Sequence, residues 1–186
     1  MWSSKDLTLV IVTAVVVFIT SITVFQIPFI LTGINGIGYV TTVGMGFFIS
    51  LTFLLFEGRR WRFLAHNTLV VILSLPTSFL APPFVIFPRL VIFLVGIPVD
   101  IIVNSFYQKF LNSNKLVWWS IFSALTFFLI TPIFQLLLYP LYFPPEFMGA
   151  FSNILIVMSP WILGGCVAGG YFGYKLYQKL NNVRNC

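Results

Sequence analysis

Residues 88–109, PRLVIFLVGIPVDIIVNSFYQK, decide the fold of this chain, because ionisable groups lie within an apolar stretch of membrane-spanning length. Arg89 and Asp100 are eleven residues apart, roughly 16 Å along a helix and about 20° around its axis. A guanidinium or carboxylate among lipid tails costs several kcal/mol, so both side chains should face a bundle interior or an aqueous opening. The stretch therefore predicts a polar helix inside a membrane protein.

The composition of the whole chain predicts the same class of protein. Of its 186 residues, 59% are hydrophobic, 18% aromatic and 8% charged, which is far too apolar for an ordinary soluble domain. The net charge of +6 does not indicate nucleic-acid binding, because the Lys and Arg residues separate apolar runs and form no single basic face. No small-residue cleavage site follows the first apolar run, so we expect a retained helix. We interpret residues 1–186 as a single transmembrane domain.

Apolar runs of about 17 to 25 residues are long enough to cross the hydrocarbon core of a membrane as helices. Six runs qualify, which predicts an all-α integral membrane protein with a bundle of six transmembrane helices. The predicted spans are residues 7–25, 39–56, 63–79, 89–107, 116–138 and 151–174.

The connections between these spans differ in charge. Nine of the ten Lys and Arg residues fall in the N-terminal flank, the second and fourth connections and the C-terminal tail. The other side carries Arg89 alone, and an excess of Lys and Arg marks the cytoplasmic side of a membrane protein. We therefore expect both termini in the cytoplasm and a multi-pass protein of the plasma membrane.

The first, third and fifth connections, on the side away from the Lys and Arg residues, are rich in Pro, Gly and aromatic residues. This composition predicts either an ordinary interfacial aromatic belt or a set of lids over an outward-facing pocket. Small-molecule pockets combine apolar walls with a few convergent polar groups, and polar side chains lie near this face. Arg89 could pair with an anionic group of a solute, or merely mark the outer boundary of the membrane. The candidate solute-binding residues are Asn35, Arg89, Gln135, Tyr139, Asn153 and Trp161, with Tyr39, Tyr142 and Glu146 beside them.

Three further polar residues are interpreted as structural. Asp100 and Asn104 lie one helical turn apart, and we favour a hydrogen-bonded pair that ties the fourth span to its neighbours over an ion pathway. His66 lies near the start of the third span, where a lone His is more typical of a structural hydrogen-bonded group than of a ligand or proton relay.

Small residues in the sixth span predict a close contact between helices. Gly165, Gly169 and Gly173 repeat at four-residue spacing, which lets two helix backbones approach each other. The contact is either with another span of this chain or with a docked partner protein.

The sequence excludes several kinds of chemistry. With one His and four acidic residues, no metal cluster, paired-carboxylate site or cofactor is expected. No Ser is accompanied by a His or Lys at the same depth, and residues 164–173, GGCVAGGYFG, lack the preceding strand and Lys-Ser/Thr pair of a phosphate-binding loop. We expect no enzyme, and an energised function must draw on another subunit or an ion gradient.

Two stretches of the chain resemble a known family of membrane proteins. They are residues 88–106, PRLVIFLVGIPVDIIVNSF, and residues 162–180, ILGGCVAGGYFGYKLYQKL. With six spans and both ends inside, the chain resembles the substrate-binding S component of energy-coupling factor transporters, particularly archaeal members. The resemblance implies a membrane-embedded protein that binds a vitamin or cofactor precursor at its outer face. It also implies work with a transmembrane coupling subunit and two cytoplasmic ATPases.

The residues also leave open a non-catalytic structural or assembly subunit of a larger membrane complex. The two hypotheses differ in what they require of the outer polar set. A solute-binding protein needs Arg89, Gln135 and Asn153 to converge, whereas a structural subunit would direct them to separate helix contacts.

Overall fold

The computed structural model describes residues 2–33, 37–78 and 83–184, and these residues form helices and connections without a strand. The all-α prediction is confirmed. A π-helical segment, Ser21–Phe25, joins the first two helices, and 3₁₀ segments at Ile37–Thr41 and Tyr139–Leu141 flank later ones. The α-helices are α1 (Ser4–Thr20), α2 (Ile27–Thr32), α3 (Thr42–Phe56), α4 (Arg62–Ser74), α5 (Phe87–Asn112), α6 (Leu116–Leu138) and α7 (Pro145–Arg184).

Five helical stretches are long and apolar enough to cross a membrane, and several membrane-crossing helices are compatible with a multi-pass membrane protein. α4 is apolar but has only 13 residues, about 20 Å, whereas the sequence predicted a run over residues 63–79. Pro76 has no N–H with which to continue this helix, and the N–H of Leu75 closes its last turn on the carbonyl of Ile72. The five stretches are Ser4–Thr32, Ile37–Phe56, Phe87–Asn112, Leu116–Leu141 and Pro145–Asn182.

The long helices form a ring. α1 packs on α4, α4 on α5, α5 on α6, α6 on α7, and α7 on α3. The ring closes where α3 meets α1, and this contact is the least extensive of those around it. Phe25 makes part of the closure, since its ring lies against the backbone of Gly44 and packs on Phe48 with 6.2 Å between ring centroids.

Because the long helices alternate in direction along the chain, their connections gather at two ends of the bundle. One end, here called the basic end, holds the N-terminus, residues 57–61, residues 113–115 and the last turns of α7. The other, here called the aromatic end, holds residues 26–33, 37–41, 75–78, 83–86 and 139–144. At the basic end, Asp6 pairs with Arg59 at 2.7 Å and with Arg62 at 3.0 Å, which ties α1 to the connection before α4.

The glycines of α7 face α3. A Cβ atom added at Gly169 would lie 2.7 Å from the backbone nitrogen of Phe47, so a larger residue would push the two backbones apart. Gly165 meets Thr42, and Gly173 meets the Phe47 carbonyl, on the same face of α3. The sequence left open whether this glycine stripe contacts another span of the chain or a partner protein. The structure contains the contact with another span, α3. A partner protein cannot dock on these glycines while α3 covers them.

Candidate functional site

A cavity of about 680 Å³ lies in the centre of the helix ring. Its volume falls in the range of about 300 to 1,000 Å³ that is typical of small-molecule sites. The walls are largely aromatic, and flat aromatic surfaces contribute large apolar contact areas to a bound molecule. The aromatic lining includes Phe25, Phe48, Phe63, Phe127, Phe128, Tyr142, Phe143, Phe147 and Phe151.

Three polar side chains meet in this lining at the aromatic end. Gln135, near the end of α6, accepts a hydrogen bond of 2.6 Å from the hydroxyl of Tyr39 through Oε1. Its Nε2 donates to the hydroxyl of Tyr139 at 3.2 Å. The chain therefore brings together two of the predicted solute-binding residues, Gln135 and Tyr139, and adds Tyr39 from the segment before α3.

A second polar group lies in the lining on α4, in its second turn from the basic end. His66 is 4% exposed, and its ring stacks on Phe63 with 5.8 Å between centroids and 14° between planes. The Nδ1 atom lies 3.3 Å from Oδ1 of Asn67, and Asn67 donates from Nδ2 to the carbonyl of Ile92 at 3.3 Å. Nε2 of His66 makes no hydrogen bond within the described residues.

The cavity lining contains no Asp, Glu, Lys or Arg among the described residues. A charged group placed here would lose its hydration without gaining a counter-charge, which costs far more than burying a neutral polar group. The geometry therefore suits an uncharged molecule. Among the described residues, no group of three or more His, Cys, Asp or Glu side chains could hold a metal ion.

Arg89 occupies a different position from the one that a binding role requires. Its guanidinium is fully buried and donates to the backbone carbonyls of Val85 and Thr77, the second at 2.6 Å. It therefore joins the start of α5 to the turn after α4. The neighbouring Val85 and Pro88 line the cavity, but Arg89 is outside the lining that the described residues form.

Two other predicted binding residues are also separate from the cavity. Asn153 is exposed on α7, and Trp161 is 50% exposed and donates from Nε1 to the carbonyl of Val40 at 3.0 Å. Asn35 lies outside the described residues. Of Arg89, Gln135 and Asn153, whose convergence a solute-binding protein was expected to need, only Gln135 lines the cavity within the described chain.

Asp100 and Asn104 connect helices away from the cavity lining. Asp100 accepts hydrogen bonds from the backbone N–H groups of Trp61 at 2.8 Å and Leu64 at 3.1 Å, and from Nδ2 of Asn104 at 3.0 Å. The carboxylate thereby caps the first turn of α4, where free N–H groups and the helix dipole favour a negative charge.

The sequence prediction missed most of the aromatic wall, although a signal for it exists. Residues 127, 131, 135, 139, 143, 147 and 151 recur at every fourth position, and all of them line the cavity. This period follows one face of α6, passes through the 3₁₀ turn and continues into α7. Gln135 and Tyr139 were identified as polar residues, whereas Thr131 and the phenylalanines carry no polarity signal strong enough to distinguish them from lipid-facing positions.

Comparison with known proteins gives no relative. No protein-family model, curated protein or solved structure matches this chain. The features of this chain that bear on function are therefore the cavity and the chemistry of its lining.

Proposed function

We propose that this protein is the substrate-specific membrane subunit of an uptake transporter for a vitamin or cofactor precursor, and that the central cavity holds the solute. The observation that carries the proposal is the cavity of about 680 Å³, with an aromatic wall and polar groups on two sides. The vitamin or cofactor-precursor class comes from the resemblance to S components of energy-coupling factor transporters. In that scheme a transmembrane coupling subunit and cytoplasmic ATPases supply the energy.

In the proposed topology the chain crosses the plasma membrane six times, with α4 as a short sixth span and both termini in the cytoplasm. α4 connects the basic end to the aromatic end, and the ion pairs of Asp6 hold the N-terminus beside residues 57–61. Tyr177 of α7 packs in the same core cluster as Tyr107, whose ring lies on Gly58. Both chain ends therefore belong to the basic end, which the distribution of Lys and Arg assigns to the cytoplasm.

Labelling of single cysteines tests this topology. Lys115→Cys and Glu146→Cys, each made in a background without Cys166 and Cys186, place an exposed thiol at the basic end and beside the aromatic end. In right-side-out vesicles, a membrane-impermeant maleimide should react with the thiol at position 146 and not with that at position 115. Equal labelling of both positions contradicts the six-span arrangement.

The solute itself is sought by purifying the protein from its native membrane in mild detergent and analysing the denatured extract by mass spectrometry. We expect a stoichiometric small molecule that is lost in Gln135→Leu and kept in Trp161→Phe, because only the first substitution changes the lining. Purification without any small molecule, but with a constant set of partner proteins that lacks ATPases, would instead support a structural or assembly subunit.

A further inference from the structure

A groove of about 480 Å³ lies along α4, apart from the central cavity. Among the described residues, the groove and the cavity share no lining residue. The hydroxyl hydrogen of Thr68 is used on the carbonyl of Leu64 at 2.8 Å, and the side chains around it are hydrocarbon. A polar group placed among them would lose its hydration without gaining a partner, so this part of the groove suits an apolar chain. The surrounding side chains include Leu7 and Ile11 of α1, Leu69 of α4 and Phe93 of α5.

Two tryptophans line the groove where it reaches the basic end, here called its mouth. Trp2 precedes α1 and is 41% exposed, and Trp61 precedes α4 and is 48% exposed. Indole rings with one apolar side and one wet side typically lie at the level of lipid headgroups. From Trp61 to Leu69 the groove follows α4 for eight residues, about 12 Å along the helix axis. The groove therefore has a wet end and an apolar end, as a membrane lipid has.

The residues beside the mouth carry an excess of positive charge. The guanidinium of Arg62 lies 4.7 Å from the centroid of the Trp2 ring, which brings a cation to the groove itself. Asp6 pairs with Arg62 and with a second arginine, whereas Lys5 and Arg60 are exposed and form no ion pair within the described residues. Four basic residues against two acidic ones give this region a net charge of +2, and they are Lys5, Arg59, Arg60 and Arg62 against Asp6 and Glu57.

We infer that the groove binds an anionic phospholipid, with one acyl chain along α4 and the phosphate at the basic mouth. Basic pockets between transmembrane helices on the cytoplasmic side bind anionic headgroups, and the proposed topology places the basic end there. A zwitterionic headgroup brings its own cation to the same place and gains less from the excess of positive charge. This site goes beyond the proposed function and does not depend on the solute in the central cavity.

Native mass spectrometry of the purified protein in mild detergent counts bound lipid molecules. The probes are a phosphatidylglycerol and a phosphatidylcholine with the same acyl chains, so that the headgroup alone differs. We expect one phosphatidylglycerol to bind about tenfold more tightly than phosphatidylcholine, since each Lys or Arg near an anionic headgroup contributes to the attraction. sn-Glycerol 3-phosphate has the anion without the chains and should not displace it.

Neutral substitutions test the charge of the mouth. The double variant Lys5→Gln, Arg60→Gln should lose most of the preference for phosphatidylglycerol, because both exposed cations are removed. Lys115→Gln, Lys179→Gln is the matched control. It removes the same charge from exposed positions beside α6 and α7, which are not neighbours of α4 in the ring, and should keep the preference.

A larger side chain inside the groove tests the position of the acyl chain. Ala65 lines the groove, so Ala65→Phe should occupy the volume of the chain and abolish the tighter binding of phosphatidylglycerol. Val157→Phe, at an exposed position of α7, adds an aromatic ring outside the groove and should leave it unchanged. If Ala65→Phe does not elute as a single species in size-exclusion chromatography, the two charge variants still decide.

Three results would overturn the inference. Equal affinity for the two lipids would mean that the groove holds only the bulk lipid that covers any apolar surface. Displacement by sn-glycerol 3-phosphate would indicate an anion site that needs no acyl chain. Unaltered phosphatidylglycerol binding in the double variant Lys5→Gln, Arg60→Gln would place the lipid elsewhere. The solute experiment with Gln135→Leu concerns the other cavity, so either proposal can fail while the other stands.

Discussion

Oδ1 of Asp100 accepts a hydrogen bond of 2.8 Å from the backbone N–H of Trp61, so that a carboxylate in α5 caps the start of α4. Trp61 has a positive φ of 70°, which turns the chain sharply into the helix. The side chain of Trp61 provides no cap of its own. The capping charge comes from another helix, and α4 therefore depends on its packing against α5 for its first turn.

Asp100→Asn should lower the free energy of unfolding by about 1 to 3 kcal/mol, because it removes the charge that two helical N–H groups share. Asn104→Ala removes only the side-chain contact of Asn104 with the same carboxylate and should cost less. Both can be measured by reversible unfolding in mixed micelles. An unchanged stability in Asp100→Asn would show that the cap does not stabilise α4.

The sequence predicted Asp100 as a structural residue for a physical reason that does not depend on its partners. A carboxylate at that depth is too costly to leave unpaired, so some donor had to be present. Its identity could not be predicted, since Trp61 and Leu64 contribute backbone N–H groups, which every residue type has.

The bounds of the helices were also predicted with unequal success. The predicted run 116–138 has the bounds of α6, whereas α4 ends early because Pro76 interrupts an otherwise apolar sequence.

Gly169→Ala should destabilise the contact between α3 and α7. The added methyl group would meet the backbone of Val43, Gly46 and Phe47, which cannot move aside as a flexible side chain can. We expect a loss of about 1 to 3 kcal/mol in the free energy of unfolding, the usual cost of overpacking. Gly164→Ala is the matched control, because a Cβ at that position meets no atom within 4 Å. Equal stability of the two variants would mean that α3 and α7 move apart to make room for the methyl group without a loss in the free energy of unfolding.

The hydrogen bonds of Gln135 predict coupling between two positions of the cavity wall. Tyr39→Phe and Gln135→Leu each break the 2.6 Å hydrogen bond, so the double variant should lose less solute affinity than the two single losses combined. A double-mutant cycle on binding of the co-purified solute measures the coupling, for which we expect about 1 kcal/mol. Strict additivity would indicate that the pair does not act as a unit in solute binding.

The candidate site was less predictable than the helices because polarity and depth do not give the direction of a side chain. Arg89 has the charge, depth and position of a solute-binding residue, yet its guanidinium donates to two backbone carbonyls outside the cavity lining. His66 was assigned a structural role on the same criteria, and only the tertiary packing shows that this residue also lines the cavity. The predictable part was the class of residue, and the unpredictable part was the set of tertiary neighbours.

Arg89→Met separates structural support from recognition of an anion. The substitution leaves the carbonyls of Val85 and Thr77 without this donor, so we expect the free energy of unfolding to fall by about 1 to 3 kcal/mol. Affinity for the co-purified solute should change by less than about threefold, which is under 1 kcal/mol, because the guanidinium is not in the described lining. Arg60→Met, on the exposed basic end, is the control for loss of a positive charge. If Arg89→Met instead abolishes binding of the native solute at unchanged stability, the guanidinium contacts that solute, and the cavity accepts an anion after all.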